Sequence, residues 1–321
     1  MAGLHLVVIS DPAAPVLRLL GRLPGDVRVT AGNQPETLAA AAAQAEVILG
    51  REARRAVVQA VVRSAPRLRW VHSLSAGVNE YLCPELVDSA VWLTNSRGVF
   101  SRSLAEFVLG AALFFAKDFR RMLRQQAAGV WESFDVEELY GKVMGIVGFG
   151  SIGRAVAERA RDFGMRVIAV RRRPEQNPAG PADEVLPVGR LAELMARSDF
   201  VVVAAPLTEE TRGLVGEGEL GAMKPSAVLI NVGRGPVVQE AALIRALQER
   251  WIRGAALDVF DREPLPAGHP FYALENVLLS PHCADHTPGW EEAAMEVFLD
   301  NFERFRRGEP LRNLVDKRLG Y

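Results

Sequence analysis

KVMGIVGFGSIG, Lys142 to Gly153, is an apolar run of strand character that opens into three spaced glycines. Val143 to Val147 reads as a strand, and Gly148-Phe149-Gly150-Ser151-Ile152-Gly153 matches GxGxxG. A helical stretch, Ser151 to Phe163, begins inside the motif. In that register each glycine has its own use, since Gly148 permits the tight turn, Gly150 lets backbone approach a pyrophosphate, and Gly153 lets the helix pack closely on the strand. The helix N-terminus adds unpaired N–H groups facing the phosphates. A glycine-rich turn without ligand is the structural alternative, and the flanking strand and helix weigh against it. The expectation is a dinucleotide site.

The next strand, Val167 to Val170, ends where an acidic side chain would accept hydrogen bonds from the adenosine ribose of NAD. Arg171, Arg172 and Arg173 stand there instead. Guanidinium groups bind a 2′-phosphate through paired, charge-assisted hydrogen bonds, so NADP(H) is expected as the preferred cofactor, with NAD(H) possible. A solvated arginine turn is the alternative.

Outward from this point the chain alternates strand-like runs with helical segments. Before it lie Leu6 to Ile9, Val27 to Val29, Val47 to Leu49, Leu68 to Val71 and Val91 to Leu93; after it, Phe200 to Ala204, Ala227 to Asn231, Ala255 to Val259 and Val277 to Leu279. This rhythm predicts an α/β protein with two doubly wound parallel sheets. Ser101 to about Ala127 reads as one connecting helix, and Gly289 to Arg307 as a long terminal one. With 321 residues, two domains are the natural expectation.

Composition narrows the function. A net charge of −1 with 24% charged residues gives no basic surface for nucleic acid or an anionic membrane. The most apolar stretch, Leu104 to Ala116, carries Glu106 and is too short to span a bilayer. The N-terminal run MAGLHLVVIS lacks a basic leader and reads as a first strand, so a cytoplasmic location is expected. Two cysteines, Cys83 and Cys283, make neither a disulfide framework nor a zinc cluster, and no metal is expected.

Reduction of a keto acid needs a proton donor for the nascent alkoxide and a cation for the carboxylate. Arg234 in NVGRGPVV, Glu263 in LDVFDREPLP and His282 in LLSPHCADHT each follow the carboxyl end of a strand-like run, where open α/β sheets place ligands. A histidine beside a carboxylate has its charged form favoured and can donate a proton near neutral pH. Hence His282 is the candidate acid/base, Glu263 its orienting partner and Arg234 the substrate clamp. Spacing alone leaves each a structural alternative: a turn arginine, a loop glutamate and a strand-end cap. His286 lacks a strand-end position, and His5, His72 and His269 read as strand or loop residues.

The combined pattern resembles the D-isomer-specific 2-hydroxyacid dehydrogenase family, which includes glyoxylate/hydroxypyruvate reductases. SAGV (Ser75 to Val78), AEFVLG (Ala105 to Gly110), the fingerprint, APLTEETRGLV, NVGRGPVV, AALDVFDREPLP, HPFYALENVLLSPH and the terminal helix occur in the family's order. The resemblance implies a hydride-transferring oxidoreductase acting on a small 2-keto or 2-hydroxy acid, with Arg234, Glu263 and His282 as catalytic triad. It implies that the loop Ser75, Ala76, Gly77 and Val78 binds the substrate carboxylate. Pro206, Thr211, Val232, Gly233, Asp258 and Ala284 would contact the nicotinamide end of the cofactor. It further implies a discontinuous substrate domain (residues 1–98 and 288–321), a Rossmann cofactor domain (99–287) and a homodimer. Substrate choice would depend on side chains around Leu74, Val99, Phe100 and Trp290. A corepressor-like nucleotide-gated protein and a phosphite dehydrogenase are alternatives on the same scaffold. Two departures stand out: Arg171 replaces the family's acidic residue, and CADHTPGW follows the histidine where another continuation is usual.

Overall fold

The computed structural model describes residues 3–176 and 180–321, and the chain divides into two compact units. Residues 1–99 and 288–321 make the first, and residues 100–287 the second.

In the first unit, β1 (His5–Ile9), β2 (Arg28–Gly32), β3 (Val47–Gly50), β4 (Trp70–Ser73) and β5 (Trp92–Asn95) form a parallel sheet of order β2-β1-β3-β4-β5. Helices α1 (Pro35–Ala42), α2 (Arg55–Arg63) and α3 (Pro84–Val87) accompany it. Every residue of β1, β3 and β4 is buried, as a parallel sheet covered on both faces requires.

The second unit opens with α4 (Ser101–Ala116) and α5 (Phe119–Ala128). The single helix expected from Ser101 to about Ala127 is therefore corrected to two. Asp118 adopts a left-handed conformation (φ 49°) and caps α5 by accepting the Arg121 N–H, which ends one helix and starts the next. Seven strands follow: β6 (Val143–Val147), β7 (Arg166–Val170), β8 (Glu184–Leu186), β9 (Phe200–Val203), β10 (Val228–Asn231), β11 (Gly254–Leu257) and β12 (Val277–Leu279). They pair in parallel as β12-β11-β10-β9-β6-β7-β8, with the strand order reversing at β6 and β9. The crevice at such a switch point is where doubly wound sheets bind ligands. Helices α6 (Ser151–Asp162), α7 (Leu191–Arg197), α8 (Glu217–Ala222) and α9 (Glu240–Gln248) connect the strands. β8, only three residues long, carries too little periodicity to be read from the sequence.

The terminal helix, α10 (Trp290–Arg307), belongs to the first unit. Its Phe298, Phe302 and Phe305 lie on one face and pack on Trp70, with Phe298 stacked at 5.3 Å between ring centroids. Arg22 pairs with Glu296 and Arg306 with Asp26 at the rim.

Candidate active site

Arg234, Glu263 and His282 follow β10, β11 and β12, three consecutive neighbours in the seven-stranded sheet. That adjacency brings residues far apart in the chain into one locality. Gly235 tightens it: a Cβ there would lie 2.0 Å from the Phe260 carbonyl carbon, so the arginine loop and the loop leading to Glu263 touch backbone to backbone. Sequence reasoning misses Gly235, although its signal, a second glycine flanking Arg234, is present in the motif.

Glu263 uses both carboxylate oxygens. Oε1 accepts the Phe260 N–H at 2.9 Å, and Oε2 lies 2.6 Å from His282 Nδ1. Nδ1–H therefore donates to the carboxylate, which leaves Nε2 as the atom that can exchange a proton with a ligand. The hydrogen bond to Glu263 holds the His282 pKa above the ordinary histidine value, against the opposing effect of burial. Burial works against the charged form of Glu263, but its bonds from His282 and Phe260 keep its carboxyl below the usual range. Arg234 is partly buried, and desolvation lowers its pKa while the charges of Glu263, Asp285 and Asp258 act in the opposite direction.

His282 sits in a left-handed backbone conformation, φ 51°, which a non-glycine residue adopts only when its surroundings enforce it. Asp258 supplies the enforcement. Its buried Oδ1 accepts from Ser280 Oγ at 2.6 Å, Cys283 N at 3.0 Å and Ala284 N at 3.1 Å, on both sides of the histidine. Ser103 Oγ, in the first turn of α4, donates to the Ala284 carbonyl at 2.6 Å. Ser280 lies within the quoted LLSPH stretch and Ser103 in none, and neither is singled out by the sequence for this bracing, which the structure reveals.

The remaining expected contacts lie at carboxyl ends of strands. Pro206 follows β9, and its carbonyl accepts from Thr211 Oγ1 at 2.6 Å. Val232 is buried after β10, and the Gly233 N–H is bound by Asn231 Oδ1 at 3.1 Å. In the first unit, the loop Ser75 to Val78 follows β4. Ser73 Oγ takes the Ser75 N–H, while the Ala76 carbonyl is held by Asn95 Nδ2 at 2.6 Å. Among the described residues nothing accepts from the N–H groups of Ala76, Gly77 and Val78.

The glycine motif, with Phe149, Ser151 and Ile152 between its glycines, fits a dinucleotide. Gly148 has φ 97°, and a Cβ there would lie 2.6 Å from Ala205 N; a Cβ on Gly153 would lie 2.4 Å from the Gly148 carbonyl oxygen. Gly150 faces open space, the room a pyrophosphate needs at the start of α6. At the end of β7, Arg172 Nη1 is engaged by Glu210 at 2.6 Å and Arg173 is exposed. Arg171 Nη1 is buried and has no hydrogen-bond partner among the described residues. A buried guanidinium nitrogen left unbonded is costly and suits an anionic partner.

This fold and site define a dinucleotide-binding α/β oxidoreductase. Residues 109–284 match the D-isomer specific 2-hydroxyacid dehydrogenase NAD binding domain. A glyoxylate reductase of Thermococcus gammatolerans is 40% identical over 266 residues, 80% of this chain and 79% of that protein. A D-isomer specific 2-hydroxyacid dehydrogenase of Xanthobacter autotrophicus Py2, solved with NADPH and MES, superposes with a TM-score of 0.85 at 32% identity over 100% of both chains. An NADPH-dependent glyoxylate/hydroxypyruvate reductase of Sinorhizobium meliloti, solved with NADP and sulfate, has a TM-score of 0.84 at 26% identity, covering 99% of this chain and 100% of that one. The chain belongs to the D-isomer specific 2-hydroxyacid dehydrogenase family, as its motifs implied. No helix among the described residues is long and apolar enough to cross a membrane.

Proposed function

We propose that this protein is an NADPH-preferring reductase of small 2-keto acids, glyoxylate and hydroxypyruvate among them, with D-specific chemistry. The observation that carries it is the 2.6 Å contact between His282 Nδ1 and Glu263 Oε2, in the same unit as a partly buried arginine and a dinucleotide cradle. Bound NADPH supplies a hydride to the keto carbon. Arg234 and the N–H groups of Ala76, Gly77 and Val78 hold the substrate carboxylate, the arginine as a rigid two-pronged donor. His282 gives its Nε2 proton to the oxygen that becomes the hydroxyl. Glu263 keeps the ring in register and offsets its positive charge. Arg171, assisted by Arg172 and Arg173, meets the 2′-phosphate.

Oxidation of NADPH and of NADH, followed spectrophotometrically with glyoxylate, hydroxypyruvate, pyruvate, bulkier 2-keto acids and phosphite as a control, tests the reading. Turnover of small keto acids with kcat/KM at least about tenfold higher for NADPH is expected, equivalent to ~1.4 kcal/mol. Equal kinetics with NADH would remove the role of Arg171, and no keto-acid turnover would remove the function.

A homodimer is part of the proposal. α5 has no buried residue, and its Phe119, Met122 and Leu123 are exposed, as are Trp131 and Tyr140 just beyond it. Apolar surface of this extent on a structured helix marks an association face. Light scattering is expected to give twice the 35.0 kDa chain mass, and a monomer would refute it. The free thiols of Cys83 and Cys283 suit the reducing cytoplasm, where we place the protein.

A further inference from the structure

The sheet of the first unit, β2-β1-β3-β4-β5, has a switch point of its own: from β1 the chain steps to β2 on one side, then to β3, β4 and β5 on the other. Doubly wound sheets bind ligands outside the carboxyl ends of the strands at such a point. A cavity of about 210 Å³ lies there, room for about seven waters. Its buried lining is apolar, from Ile9, Ala53 and Val57. None of the residues lining it belongs to β4 or to the loop Ser75 to Val78.

Two opposite charges line this cavity without meeting. Asp11 accepts the Ala13 N–H through Oδ1 at 2.9 Å, and the Arg54 side chain makes no hydrogen bond; neither residue forms an ion pair among the described residues. Arg51, which also lines the cavity, is already engaged, its Nε by Glu291 Oε1 at 2.5 Å and its Nη2 by Glu52 Oε1 at 3.2 Å. Glu52 holds a left-handed backbone, φ 51°, in the turn from β3 to α2, a strained conformation for a residue with a long side chain. α1 and α2 both start at the cavity, at Gln34 and Arg54, and neither start is closed by a side-chain cap. Helix starts carry positive partial charge and favour a carboxylate beside Arg54.

We propose that this cavity is a binding site for a small amino acid in its zwitterionic form. The Arg54 guanidinium and the two helix starts meet the carboxylate, and the Asp11 carboxylate meets the ammonium group. A ligand carrying both charges on neighbouring atoms satisfies at once two groups that do not reach each other. A ligand with a single charge leaves one of them unpaired. Charge-assisted hydrogen bonds are roughly twice as strong as neutral ones, so the loss of either is felt in affinity. The volume falls below the roughly 300 Å³ at which drug-sized sites begin, which limits the occupant to a small molecule. Its side chain is covered by the apolar lining, with the Asn33 and Gln34 amides beside it.

Isothermal titration calorimetry on the full chain with NADP⁺ present tests the site, using L-alanine and its two one-charge halves, propionate and ethylamine, as probes. L-Alanine is expected to bind one to one, in the millimolar range or tighter, and each half to bind at least about tenfold more weakly, ~1.4 kcal/mol. Arg54→Gln and Asp11→Asn should each weaken L-alanine by about tenfold. Both side chains are exposed and neither belongs to the proposed catalytic or cofactor groups, so melting temperature and keto-acid turnover should stay at the wild-type level. Saturating pyruvate should leave L-alanine affinity unchanged. No L-alanine binding would overturn the site, and propionate binding as tightly as L-alanine would reduce it to an anion site and overturn the zwitterion. Affinity unchanged in both variants, or abolished by pyruvate, would place the ligand outside this cavity. Each of these results leaves the keto-acid reading standing, since that reading is decided by turnover alone.

Discussion

His282→Ala is expected to lower kcat for keto-acid reduction by about 10²- to 10⁴-fold, the usual contribution of a positioned proton donor. NADPH affinity, read by fluorescence titration, should be retained, because the glycine motif and Arg171 lie at β6 and β7 while His282 follows β12. The size of the effect comes from geometry. With Nδ1 committed to Glu263 at 2.6 Å, Nε2 is the single ring atom left to transfer a proton. Turnover equal to the wild type in this variant would exclude His282 as the acid.

Glu263→Gln should cost about 10²-fold in kcat and also displace the pH profile. In the reduction direction the protonated imidazole is the active form. Activity is therefore full below the His282 pKa and falls as pH rises through it. Glu263 holds that pKa above the ordinary value by hydrogen bond and charge, against the effect of burial. Removing the charge moves the fall to lower pH. Glutamine preserves the volume, but once its oxygen takes the Phe260 N–H its amide group faces Nδ1 as a donor and forces the wrong tautomer. A variant slowed to the same degree with the alkaline limb unmoved would show that Glu263 acts only as a structural prop. The pH dependence of kcat/KM from about pH 5 to 9, a range spanning histidine titration, separates the two outcomes.

Much of this architecture is legible in the residues. Apolar runs such as Leu6 to Ile9 and Val143 to Val147 signal strands buried on both faces, and the structure places β1 and β6 there. The glycine motif is legible because its requirements are local. Gly148 needs a positive φ, and Gly153 must lie against its own loop, both within a single turn of chain. Elsewhere local signals fail. Asp118 divides α4 from α5 in a left-handed conformation that neither glycine nor proline announces. β8 is too short to show a period, and its edge position is known only once β7 exists to pair with it.

Taken residue by residue, the chain specifies an inventory of strands, helices and a nucleotide-binding turn, with an arginine, a glutamate and a histidine each just after a strand. That those three strands are neighbours, in the order β12-β11-β10, so that the side chains share one locality, emerges only on folding. Strand order is a long-range property: it arises from which apolar faces are buried together across tens of intervening residues, and no window along the chain contains it. The same holds for the bracing by Asp258 and Ser103 and for the close backbone approach at Gly235, which hold His282 in its strained turn and set Arg234 beside its neighbours.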